Sequence, residues 1–74
     1  MSSTAAAHLQ ITLNGQPHAL PSNSCIRDLV AQLALDPKAV AIEQNLAIVP
    51  RSAYATTPIH DRDAIEIVGF IGGG

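Results

Sequence analysis

Only one segment of this chain carries a helical period. Ile26, Leu29, Val30 and Leu33 recur at i, i+3, i+4 and i+7, the spacing of one helix face, and the remaining apolar runs are short or alternate. A lone amphipathic helix must bury its stripe, and a sheet is the only partner large enough here. The pattern predicts an α+β domain in which one sheet wraps around one helix. The helix is expected from Cys25 to about Leu35, with Ser24 or Cys25 as N-cap and Asp28 in the first turn, where a negative charge suits the helix dipole. Asp36-Pro37 closes it, because the residue before proline is pushed out of the α region.

The strands are read from alternation and breakers. His8 to Leu13 places Leu9, Ile11 and Leu13 on one face, and Asn14-Gly15 is a dipeptide favoured in two-residue hairpin turns. The returning arm, Gln16 to Leu20, contains Pro17, which has no N–H for a ladder and belongs at a sheet edge. Val40 to Glu43 reads as a third strand, Gln44-Asn45 as its turn, and Ala47 to Val49 as a short fourth strand stopped by Pro50. Residues 52–58 show no period, and His60 to Asp63 form a polar turn. A last strand starts at Ala64, with Ile65 and Ile67 inward and Val68 and Phe70 on the opposite face. It is expected beside the first strand and parallel to it, with the helix in the crossover.

A chain of 74 residues has room for one domain, and such a domain buries only roughly 60% of the surface its unfolded form exposes. Its 47% hydrophobic and 14% charged content argues for a folded domain over a disordered tail. Cys25 is the single cysteine, so no intrachain disulfide staples the core, which suits a reducing cytosol. The four basic residues, Arg27, Lys38, Arg51 and Arg62, are scattered along a chain of net charge −2, which argues against nucleic acid as a partner. His8, His18 and His60 lie far apart and give no metal-ligand spacing or catalytic triad. Asp61 and Asp63 read as turn formers, since two carboxylates alone make a poor calcium site. Residues 1–7 lack the basic and apolar regions of a signal peptide and are expected to be a flexible extension of a cytoplasmic protein that does not enter membranes.

The chain ends on Gly72-Gly73-Gly74, directly after the last strand. Glycine lacks a Cβ, so such a tail can be drawn through a narrow channel, which makes the terminal carboxylate a candidate reactive group. Residues 8–70 form the expected domain body and residues 71–74 its reactive tail.

Ile11 to Gly15, the helix after Leu20-Pro21, Ile48 to Ser52, and Asp61 to Val68 with the Gly-Gly ending together resemble the sulfur carrier proteins of thiamine biosynthesis of the ThiS type, over about Leu9 to Gly74. The resemblance implies a ubiquitin-like β-grasp fold with a mixed four- to five-stranded sheet on one main helix. Two departures stand out: many relatives carry glycine at the position of Arg62 and tryptophan at that of Tyr54.

The resemblance also implies a chemistry. An E1-like adenylyltransferase of the ThiF type uses ATP to adenylate the Gly74 carboxylate. Sulfur from a donor such as a cysteine desulfurase then replaces AMP, and the thiocarboxylate serves a thiazole synthase of the ThiG type. The carrier itself is implied to bind no cofactor and to be a cosubstrate of other enzymes. Activation is needed because an α-carboxylate, with a pKa of ~3.3–3.7, is ionised and a poor electrophile at neutral pH.

Gly74 is thus the reactive residue and Gly72 and Gly73 its tether, while Glu66, Val68, Phe70 and Ile71 are candidates for partner docking. Phe70 has a second reading as a satellite of the core. Cys25, although at a helix start, reads as a small structural residue. The small subunit of molybdopterin synthase shares the fold and the Gly-Gly end but usually has a proline-containing apolar segment before its glycines, where this chain has Ile67 to Ile71. A ubiquitin-like modifier, joined to lysines of other proteins, is the further alternative.

Overall fold

The computed structural model of the chain describes residues 8–69; the expectations for residues 1–7 and 70–74 lie outside the described residues. Strands β1 (His8–Leu13) and β2 (Gln16–Pro21) form the opening hairpin, followed by helix α1 (Ile26–Gln32), β3 (Val40–Gln44), β4 (Ala47–Val49) and β5 (Ala64–Gly69). Short 3-10 turns cover Pro37–Ala39 and Arg51–Ala53. The five strands lie in the order β2-β1-β5-β3-β4, so β5 occupies the centre, and it runs parallel to β1 as expected. β2 pairs only with β1, which leaves Pro17 on an edge strand where its missing N–H costs no ladder bond.

One face of the sheet carries the helix. Ile26, Leu29 and Val30 of α1 pack with Ile11, Ile42 and Ile65 from the three central strands, and all six are buried. Tyr54 and Ile59 join this core from the long connection before β5, a stretch with no period to announce them. That connection also solves the problem of the helix start. The first N–H groups of a helix have no partner within it, and here Ile26 N and Arg27 N donate to the carbonyls of Thr57 and Tyr54 at 3.0 and 2.9 Å. Cys25 is the N-cap, with its N–H donating to Asp28 Oδ2 at 2.9 Å and its thiol to the same oxygen at 3.3 Å. The backbone bond first, and the thiol second, hold the Asp28 carboxyl below its ordinary pKa.

Helix α1 ends at Gln32 and not near Leu35. Ala34 takes a left-handed φ of 57°, and its N–H and that of Leu35 donate to the carbonyls of Ala31 and Val30. This is a Schellman ending, usually marked by glycine at the left-handed position. Ala34→Gly is therefore expected to raise stability by about 0.5–1 kcal/mol, read as a shift of the denaturant midpoint at unchanged slope, because relief of the left-handed strain outweighs the added chain entropy. The second hairpin turn is likewise shifted by one residue. It is Asn45-Leu46, with φ of 52° and 72°, and Gln44 belongs to β3.

Candidate functional site at the root of the last strand

β5 leads straight into the residues that the sequence singles out, so what holds it decides how the tail is presented. On one side β3 pairs with it along its whole length, from Gln44↔Ile65 to Val40↔Gly69. On the other side β1 supplies only two paired positions, Thr12↔Ala64 and Leu13↔Ile65. Side chains extend this short ladder at both ends. Asn14, at φ 51° in the hairpin turn, accepts from Ile67 N at 2.7 Å and donates to Ile67 O at 3.1 Å, reproducing the pair of bonds a strand residue would make. Before the strand, Asp61 Oδ1 accepts from Gln10 N at 2.8 Å.

The β3 side has its own brace at the start of β5. Asn45 Oδ1 accepts from Ala64 N, and its amide donates to Asp63 Oδ1 at 3.0 Å. Asp63 is buried, and its Oδ2 also accepts from Gln44 Nε2 and His60 N, each at 2.8 Å. Burial pushes its pKa up, but the bonds from His60, Asn45 and Gln44, with the nearby His60 ring, outweigh this and hold it below the ordinary carboxylate value. Asp61 and Asp63 sit in the turn, as expected, and the structure shows that they also anchor the neighbouring strands. Between them Arg62 sits at φ 73°, a left-handed position that favours glycine.

Of the docking candidates, Glu66 and Val68 are described and both are exposed on the face of the sheet away from the helix. The structure adds neighbours that sequence reasoning did not select: Ala41 and Glu43 of β3, Leu46 of the turn and Ile48 of β4 border the same shallow groove. Leu46, Ile48 and Val68 are 90%, 66% and 60% exposed, which is unusual for three large aliphatic side chains gathered in one place. Alternation holds the signal for Ile48, since its neighbour Val49 is buried. Glu43 and Glu66 stand directly opposite one another across β3 and β5, an arrangement that disfavours the free sheet and favours a basic side chain laid between them. The remaining candidates, Phe70, Ile71, Gly72, Gly73 and Gly74, lie outside the described residues.

The ThiS family model matches residues 11–74. The chain belongs to the ThiS family. It is 45% identical over 49 residues to the sulfur carrier protein ThiS of Bacillus subtilis, covering 66% of this chain and 74% of that protein. It is also 39% identical over 66 residues to the thiazole synthase of Paramagnetospirillum magneticum, covering 89% of this chain but only 20% of that protein. The chain therefore spans about a fifth of the length of the thiazole synthases it matches. Among solved structures, the crystal structure of the thiamine biosynthesis protein ThiS from Geobacter metallireducens superposes with a TM-score of 0.76 at 29% identity, over 89% of this chain and 100% of that one. The ThiS β-grasp fold accounts for the five-stranded mixed sheet and single helix seen here. Among the described residues no helix is long and apolar enough to cross a membrane, and no group of three His, Cys, Asp or Glu residues is placed to hold a metal ion.

Proposed function

We propose that this ThiS family member is a cytoplasmic sulfur carrier for thiazole formation, a cosubstrate whose chemistry takes place on the Gly74 carboxylate. An adenylyltransferase of the ThiF type consumes ATP to form the acyl-adenylate, with loss of pyrophosphate. Sulfur originating from cysteine, delivered by a desulfurase, displaces AMP and leaves a thiocarboxylate. A ThiG-type thiazole synthase then takes the sulfur. No resident cofactor is part of this cycle. The observation that carries the reading is the double bracing of β5, by β3 with Asn45 and Asp63 on one side and by Asn14 on the other. It fixes the strand leading to the glycines. The match to polypeptides named thiazole synthase favours that acceptor over a molybdopterin precursor.

Intact mass measurement after incubation with ATP, cysteine, a desulfurase and the adenylyltransferase tests the cycle. The expected product carries one oxygen-to-sulfur exchange localised to Gly74, and covalent ladders on lysines of other proteins would overturn the reading in favour of a modifier.

In this cycle the exposed face around Leu46, Ile48 and Val68, with Glu43 and Glu66, is the docking surface for the activating enzyme, and Phe70 and Ile71 remain candidates from the sequence. Leu46 offers a variant that separates docking from folding. A left-handed φ costs a side chain about 1–2 kcal/mol, against roughly 0.4–1 kcal/mol of extra chain entropy for glycine. Leu46→Gly is expected to leave stability equal or up to ~1 kcal/mol higher, while an exposed aliphatic anchor lost from an interface raises the KM for the carrier about tenfold. Denaturant midpoints and adenylation kinetics check the two halves separately.

A further inference from the structure

Three of the four basic residues of the chain, scattered in sequence, come together in space. Arg27 of α1, Lys38 of the first 3-10 turn and Arg51 of the second line one open groove of about 380 Å³, on the helix side of the sheet, remote from the Glu43–Glu66 face. Val30 and Tyr54 form its floor and the exposed Leu35 one wall, and no acidic residue lines it. None of the three cations has an ion pair among the described residues. Asp28 feels the charge of Arg27, but its carboxylate is bound to the N–H and thiol of Cys25, and Asp36 accepts from the N–H of Lys38. A chain of net charge −2 thus carries a local concentration of positive charge around an apolar floor.

From this we infer that the groove is an interaction surface for a protein partner, and that its occupant is an acidic amphipathic segment presenting carboxylates beside aliphatic side chains. Charge complementarity selects the carboxylates and the apolar floor selects the aliphatic groups. A phosphate ligand fits less well, because it would leave the apolar floor of Val30 and Tyr54 and the Leu35 wall without a partner. Leu35 also borders a second groove with Ile67 and Gly69, so the surface is continuous with the end of β5. A partner that reaches the tail from this side meets the basic groove next. The inference stands on the groove alone and holds whether or not Gly74 carries sulfur.

Tyr54 gives a built-in reporter, since the chain has one tyrosine and no tryptophan. A short acetylated peptide alternating glutamate with leucine, titrated into the full chain, is expected to change tyrosine emission saturably and to shift the backbone amide resonances of residues 27–31, 35, 36, 38 and 51–55. Its glutamine counterpart, and the same peptide against the Arg27→Gln, Lys38→Gln, Arg51→Gln triple variant, should bind at least about tenfold more weakly, with affinity falling as salt is raised. If the triple variant fails to fold, Lys38→Gln alone should give a smaller loss in the same direction. Equal binding of the two peptides, shifts confined to the Glu43–Glu66 face, or no saturable response would each overturn the inference. So would the same shifts produced by inorganic phosphate more readily than by the peptide, or by raising the protein concentration alone, which would make the occupant a phosphate group or a second copy.

Discussion

Removal of Gly74 is expected to lower sulfur loading by at least ~100-fold while leaving the unfolding midpoint unchanged. The truncated chain still ends in a glycine carboxylate, so the chemistry of the group is preserved and only its position changes. One residue moves the terminus by ~3.3–3.6 Å along an extended chain, and a misplacement of even 1 Å at a reacting atom can cost about 100-fold in rate. The body is indifferent to the change, because among the described residues the core runs from Leu9 to Ile67, well before the end of the chain. Mass measurement of the loaded carrier and a thermal melt of the same sample decide the matter together. Loading at the normal rate would move the reactive atom away from the end of the chain, and a lowered midpoint would mean that the tail helps to hold the body.

The features that were legible in the sequence are those whose signal is local and periodic. The stripe of Ile26, Leu29 and Val30 marks the helix, the alternation around Ile11 and Ile65 marks two central strands, and the need to cover one helix with one sheet orders them. What escaped has a physical cause in each case. Ala34 and Leu46 occupy left-handed positions without being glycine, so the helix end and the second turn lack their usual marks. Tyr54 and Ile59 enter the core from a connection whose shape is set by the carbonyls it gives to the helix start. The braces of β5 join residues up to 53 positions apart, and no window along the chain reports such pairs. The same distance hides the gathering of Arg27, Lys38 and Arg51, which the sequence shows only as scattered charge.

Asp63 is where the fold and the site share a single side chain, and Asp63→Ala is expected to cost about 3 kcal/mol. The carboxylate receives three hydrogen bonds, from the adjacent Gln44 and Asn45 at the end of β3 and from His60 in the turn before β5. A hydrogen bond to a charged group contributes roughly 1.5–3 kcal/mol, and removing the acceptor leaves part-buried donors to find water or go unpaired. A total stability of ~5–15 kcal/mol makes such a loss severe. Asp63→Asn should recover only part of it, since an amide nitrogen facing these donors replaces an acceptor with a fourth donor. The folded-state pKa of Asp63 lies below its ordinary value of 3.8, whereas the unfolded chain titrates near ~3.9. The stabilisation is therefore complete above the unfolded value and is lost as pH falls through the lower folded value. Asp28 is shifted in the same direction and adds to the acid loss of the native chain. Urea midpoints measured from neutral pH into the acid range should then fall less steeply for Asp63→Asn than for the native protein, the two curves converging at low pH. Parallel curves would mean that the carboxylate holds no charge-dependent share of the stability, and that the start of β5 is fixed by packing of Ile65 alone.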